Sequence, residues 1–380
     1  MTTGESDRLT LAALVALERA GGEGSIAATA WAPGRCTLVG EHVDYAGGQV
    51  LCVAVDLGIA AAARRSDTGR FLVASGETVV TRASADPNGD FADRVLAPVV
   101  ALRERGVRVP AVELGIAATL PAGAGLASSA ALMVATATAI LRLLGLTMTA
   151  RDLAAVALSA ERDVLGIPCG PLDQRAVVDS PDGGALLLDC ATGREEPVAW
   201  PWPDAALAAC DTGTQHDVGG AEYRRRREET EQGLAMVGVS TCQELTEARI
   251  DSFDLEPGIR RRLLHVIGEN RRAVEAADAM RHADLVALGR FMSASHRSLR
   301  DLHEVSTPAL DATVSAAEGV RGCFGARMVG AGFGGTVVAL VTRESSEACM
   351  RAMAAACGGT TFLLRPSPGV AGLSPDVVRG

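Results

Sequence analysis

"LPAGAGLASSAALMVATATAILRLL", residues 120–144, joins a glycine-rich turn to a segment that is apolar on nearly every side. Gly123 and Gly125 permit positive φ and close backbone approach, and Ser128 and Ser129 stand where a helix begins, in the chemistry of an N-cap. Exposed N–H groups at a helix start, reinforced by the macrodipole, make an anion site. No lysine lies in this stretch, so backbone amides must do the cradling, and a nucleoside triphosphate is the natural guest. Taken alone, the stretch also admits a plain glycine turn with a serine cap and nothing bound. The helix itself, Ser128 to Leu144, is 17 residues long with an arginine near its end. That is short for a membrane span and reads as a buried core helix.

The wider composition removes several classes. The chain contains no lysine, and all 36 basic residues are arginine. A Walker A loop, the strand lysine of a protein kinase and the Schiff-base amine of a pyridoxal enzyme are thereby excluded. The net charge of -10 argues against a nucleic-acid partner, which needs a surplus of clustered cations. The run Arg224–Arg227 continues into "EETEQ" and reads as a solvated helix face with i,i+4 ion pairs. Nine cysteines are scattered without C-x-x-C or zinc-site spacing, so they are expected to be reduced and mostly buried. The N-terminal "MTTGESDRLTLAALVALERAGG" lacks a basic stretch followed by an apolar one and reads as an amphipathic helix, so a cytoplasmic protein without membrane contact is expected.

At 380 residues the chain fits two domains, with a boundary near Pro203: residues 1–203 and 204–380. From Ser25 to Ala63, and again in "RFLVASGETVVTRAS", short apolar runs alternate with Gly and Pro as strands and turns do. Phe91 to Arg105 has helical periodicity, and "VRVPAVELGIAATL" returns to strand. A helix in "ARDLAAVALSAERDVLG" follows the buried one. "GALLLDC" and "AALAACDTG" read as strands, and a long helical stretch runs from Ala221 to about Met292, broken at "DLEPG". The end of the chain alternates again in "RMVGAGFGGTVVALV" and "TTFLLRPSPG", as α+β folds do.

Two further stretches carry chemistry. "GEHVDYAGG", residues 40–48, sets two acids, an imidazole and a phenol among glycines. "GAGFGG", residues 330–335, implies backbone packed tightly against a ligand or another chain segment, or else a bulge or corner.

Together these segments resemble the galactokinase branch of the GHMP small-molecule kinases. "PGRCTLVGEHVDYAGGQVL" is similar to that branch's signature, "LPAGAGLASSA" to the phosphate loop, "IPCGPLDQ" to the catalytic segment and "ARMVGAGFGGTVVALV" to the third motif. "EYRRRREE", "SHRSLRDLHEVSTPALD" and "RPSPGVAGL" agree in type and order, so the resemblance runs from about Ala32 to Leu373. It implies a two-domain α+β fold with ATP and substrate meeting in the cleft between the domains. It further implies that Asp173 accepts the proton of the attacking hydroxyl, with the Arg35 guanidinium beside it to neutralise charge on the phosphoryl group in flight. Ser129 and Glu161 match the magnesium-holding residues. Gly123, Gly125, Leu126, Ser128 and Ser129 fall on the ATP loop, and Phe91 occupies a helix where galactokinases often present Trp to the adenine. Glu41, His42 and Asp44 match sugar-binding residues, Gly170 contributes backbone, and Tyr223 is the phenol that reaches the same sugar.

What the resemblance implies is therefore transfer of the γ-phosphoryl group of Mg-ATP to a hydroxyl of a small sugar or polyol, foremost the anomeric hydroxyl of galactose, by a monomer or homodimer. Thr37 stands where galactokinases carry Asn, Cys52 replaces Pro, Pro171-Leu172 replace Ile-Met, Gln215 replaces Arg, and "DVGGAEY" lacks the usual serines. These departures leave another hexose, a sugar acid or a cyclitol as alternative substrates. The alternative of another class is a non-catalytic sugar sensor.

Overall fold

The computed structural model describes residues 3–21, 28–213 and 219–379. Two sheets divide the strands. The first takes β1 (Ala28–Val39), β2 (Gln49–Arg65), β3 (Phe71–Ser75), β4 (Thr78–Arg82), β5 (Val112–Ala118), β7 (Gly184–Asp189) and β8 (Glu195–Ala199) in the order β4-β3-β5-β2-β7-β8, with β1 pairing β2. The second is antiparallel throughout: β10 (Cys323–Val329), β11 (Thr336–Thr342), β9 (Ala205–Asp211) and β12 (Thr360–Leu364), in that order. A short β6 (Met148–Thr149) pairs with β14 (Val378–Arg379), and β13 (Pro366–Ser367) returns the end of the chain to β2 in the first sheet.

The expected strands fall where the alternation put them, and three unexpected ones join them: β8, whose "EEPVA" carries too many acids to read as strand, and the two-residue β6 and β14. In the first sheet β1 and β2 are buried almost throughout, which explains their continuous apolar runs. The helix expected at residues 128–144 is α3 (Ser128–Leu144), buried along most of its length and packed on β1 and β2. Packed against it are α2 (Ala92–Glu104), α4 (Ala150–Ser159), a π-helical turn at Ala160–Val164, and α5 (Leu172–Asp179), while α1 (Thr3–Arg19) covers the opposite face of the sheet.

The long helical stretch after Ala221 breaks more often than its single Pro-Gly suggests. It resolves into α6 (Gly219–Val237), α7 (Glu247–Asp251), α8 (Pro257–Arg281) and α9 (Leu285–Ser298). Gly238 at φ 71 ends α6, Thr246 caps α7 through its hydroxyl, and Asp284 caps α9 by accepting from the Ala287 amide. The remaining helices, α10 (Pro308–Glu318), α11 (Ser346–Cys357) and α12 (Val370–Leu373), complete the order.

The arginine run on α6 is only partly a solvated face. Arg225 and Arg227 make i,i+4 pairs with Glu229 and Glu231 as expected, but Arg226 is buried and donates through Nε to His303 O at 2.8 Å. All nine cysteines are free and five are buried. No helix of the described residues is long and apolar enough to cross a membrane.

Candidate active site

The glycine-rich turn packs against β1. Gly34 has room for no side chain, since a Cβ would meet Leu126 O at 2.8 Å, and the Arg35 amide donates to that same carbonyl at 3.0 Å. The β1–β2 register slips at Pro33/Gly34 and at Thr37/Val39, so β1 bends on either side of Arg35. Helix α3 opens differently from the expected serine cap. Its N-cap is Ala127, in the left-handed region at φ 59 and without a side-chain hydrogen bond, so Ser128 and Ser129 lie in the first turn.

The second glycine run proves to pack on a chain segment. A Cβ on Gly330 would come within 2.7 Å of Gly125 Cα, and one on Gly125 within 2.6 Å of Val329 O. Two glycine loops thus rest backbone to backbone, which no larger residue allows.

A cavity of about 310 Å³ opens beside them, lined by Arg35, Glu41, His42, Asp44, Gly170, Asp173 and Tyr223, which are all the catalytic and substrate residues expected from sequence. Arg35 joins the parts. Its Nε and Nη2 reach Asp173 Oδ1 at 2.9 and 2.6 Å, and its Nη1 donates to Gly125 O at 2.5 Å. Burial works against the guanidinium charge, yet the carboxylates of Asp173 and Glu41 outweigh it and raise the Arg35 pKa further. Asp173 sits in the first turn of α5 with its side chain about one-third exposed. Both Arg35 contacts go to Oδ1, and among the described residues Oδ2 takes no hydrogen bond.

Asp44 touches Gly170, where a Cβ would lie 1.9 Å from its Oδ2. Burial pushes its carboxyl up to about 6, the charge of Asp173 adding to the shift. His42, at φ 61, is spoken for on both sides: Nε2 faces Ala331 O at 3.0 Å and Nδ1 faces Tyr45 Oη at 3.3 Å. A carbonyl can only accept, so Nε2 carries the proton and Nδ1 accepts from Tyr45, whose oxygen then accepts from His303 Nε2 at 3.3 Å. Burial drives the His42 pKa down to about 3, so this chain is neutral. Glu41 accepts from the Gly330 amide through Oε1.

Support from behind was not legible. Glu269 on α8 is fully buried, and its Oε1 accepts from the Gly40 and Glu41 amides at 2.9 and 3.3 Å and from the Ser295 hydroxyl. Burial opposes its charge, but Arg272 and Arg327 prevail and hold the carboxyl down at about 2. His265, also on α8, donates Nε2–H to Glu41 O at 3.1 Å. Tyr45, three residues from His42 in the same motif, was the findable one; nothing in the helical pattern of α8 singles out Glu269 or His265.

Toward the phosphate loop, Glu161 in the π-helical turn accepts from Gln174 Nε2 at 2.7 Å. Burial raises its pKa, with Ser129 and Gln174 opposing. The buried Ser129 Oγ lies beside this carboxylate without a hydrogen bond of normal geometry. Phe91 precedes α2 and is 38% exposed, outside the cavity lining. Gln215 lies outside the described residues.

Family models described as GHMP kinases N terminal domain, Galactokinase galactose-binding signature, and GHMP kinases C terminal match residues 93–180, 18–65 and 276–359. A galactokinase of Roseiflexus sp. (strain RS-1) is 35% identical over 357 residues, covering 89% of this chain and 91% of its own. The chain belongs to the galactokinase family of GHMP kinases. A galactokinase of Thermotoga maritima is also 35% identical, over 81% of this chain and 88% of its own. Among solved structures, Lactococcus lactis galactokinase complexed with galactose superposes with a TM-score of 0.89 at 26% identity, covering 95% of this chain and 99% of that one. A mevalonate kinase shares the fold alone, with a TM-score of 0.68 at 16% identity over 90% of this chain and 100% of that one. As a galactokinase-family protein the chain is a sugar phosphotransferase, and family membership implies the use of ATP.

Proposed function

We propose that this chain transfers the γ-phosphoryl group of ATP to the anomeric hydroxyl of galactose. The observation that carries the reading is the single Arg35 fork that joins Asp173 to Gly125 O, which puts a base, a cation and the phosphate loop at one point. The sugar occupies the 310 Å³ cavity, a volume at the small end of ligand pockets, roughly 300–1,000 Å³. Its reacting hydroxyl faces Asp173, whose Oδ2 receives the proton while Arg35 compensates charge on the transferring group. Phosphoryl transfer asks little covalent work of a protein, so positioning and electrostatics supply the rate. Phe91 is the surface ring assigned to the adenine. We place the protein in the cytoplasm, as a monomer or homodimer, with its division near Pro203, where β9 begins the second sheet.

Two groups fit a magnesium ion. Ser129 Oγ is buried without a normal hydrogen bond beside the Glu161 carboxylate, and magnesium takes few protein oxygens and completes its shell with phosphates and water. Among the described residues no cluster of three or more His, Cys, Asp or Glu could hold a metal by itself, which suits that division of labour. When bound, the ion would neutralise phosphate charge; Ser129 and Glu161 would hold it. Ser129→Ala and Glu161→Ala are each expected to raise the magnesium concentration for half-maximal rate by about tenfold. Unchanged magnesium dependence in both removes the assignment.

Asp44 gives the site a pH signature. Its pKa is raised to about 6 in the free protein, so the ionised acceptor that sugar hydroxyls need is present above that pH and lost below it. The kcat/KM for sugar should fall about tenfold per pH unit below 6, and this limb should vanish from an already weakened Asp44→Asn enzyme. An identical limb in the variant assigns the titration elsewhere. Of the departures from the family pattern, Leu172 lines the cavity while Thr37 and Cys52 are fully buried on β1 and β2, and they keep a related hexose, sugar acid or cyclitol as the second reading.

A further inference from the structure

Arg327, on β10, is fully buried. Its guanidinium offers five N–H donors in a rigid fork. Nη1 donates to Thr37 O at 3.1 Å, whereas Nε and Nη2 find no hydrogen-bond acceptor among the described residues. Opposite Nη2, at 3.9 Å, stands Glu41 Oε2, buried and without a donor of its own; the buried Thr37 Oγ1 is likewise unpartnered. A separation of 3.9 Å is too long for a direct hydrogen bond and is a span that one bridging water covers. Charged donors and a carboxylate oxygen are costly to bury unmatched, and internal waters with several protein partners are the common remedy.

We propose that Arg327, Glu41 and Thr37 hold one internal water, through which Arg327 acts as the positioning residue for Glu41 in the sugar cavity. The consequence for sugar rests on the proposed function; the water itself does not. Gly330 N already fixes Glu41 through Oε1, and the water fixes Oε2, so the carboxylate is pinned from both sides. The strut also crosses the fold, since Arg327 belongs to the second sheet and Thr37 to β1. Thr37 is one of the departures from the family pattern, and here it gains a use: its hydroxyl is the third partner of the water.

The test uses the full-length protein. A crystal structure at a resolution that shows waters should reveal one within hydrogen-bond reach of Glu41 Oε2 and an Arg327 nitrogen; a direct Arg327–Glu41 hydrogen bond with no water between overturns the proposal. With galactose as the probe, Arg327→Gln should raise sugar KM by about tenfold, with kcat and ATP KM changed by less than about threefold, and Arg327→Lys should recover most of the loss. Thr37→Val, which keeps shape and removes the hydroxyl, should raise sugar KM by about threefold and decides the matter if Arg327→Gln does not fold. Equal losses in all three parameters, or an unmoved sugar KM, contradict a positioning role. Absence of any sugar turnover in the unmodified protein would sink the proposed function, while the crystallographic result would still stand or fall by itself.

Discussion

Asp173→Asn is expected to lower kcat by about 10²- to 10⁴-fold while ATP still binds with near-native affinity, the range typical of losing a positioned general base. Asparagine keeps the shape of the side chain and an oxygen for the Arg35 fork, which reaches Oδ1 at 2.9 and 2.6 Å. It replaces the remaining carboxylate oxygen with an NH₂ group that cannot accept the proton of the sugar hydroxyl. The phosphate loop, held by Gly125 O on Arg35 and by the packing of Gly330 on Gly125, is untouched. Turnover measured alongside nucleotide titration separates the two effects. A variant with near-native kcat would remove Asp173 from the chemistry.

Arg35→Lys should be nearly as damaging, lowering kcat by about 10²-fold or more despite conservation of charge. The guanidinium contacts Asp173 through Nε and Nη2 and Gly125 O through Nη1 at once, from a buried position on β1. An ammonium is a single point on a flexible stem and cannot span the base and the loop together. The loss should therefore appear in kcat more than in either KM. A loss of less than about threefold would show that charge suffices and that the fork is incidental.

The sequence disclosed the fold and the front of the site because both leave local signatures. Alternating apolar runs mark strands that face a core, and α3 declared itself by being apolar all round. Glycines at 123, 125 and 330 announced close approach, though not that two glycine loops would meet each other. The rear of the site stayed hidden because its members are polar residues on helices and strands that otherwise obey ordinary patterning. Glu269, His265 and Arg327 carry no local signature in the sequence and are buried. Arg226 was misread for the same reason: in a run of four arginines, composition says charged surface, and only the packing of α6 turns one of them toward His303. The capping of α3 by Ala127 also escaped the sequence, since a left-handed alanine is set by its neighbours and not by its own preference. Gln215, another departure from the family pattern, lies outside the described residues.

The most direct test of the account is the initial rate of ADP release with Mg-ATP across a panel of galactose, glucose, a sugar acid and a cyclitol. The product of the best substrate would be identified by phosphorus NMR. Galactose should give the highest kcat/KM, at least about tenfold above glucose, because the wrong epimer leaves the half-buried Asp44 carboxylate without its hydroxyl partner. The product should carry phosphate on the anomeric oxygen. Galactose turnover at only a trace of the rate of another panel member would contradict the substrate. ADP release at background with every sugar, although both ATP and galactose bind, would contradict the kinase reading and leave a sugar sensor in its place.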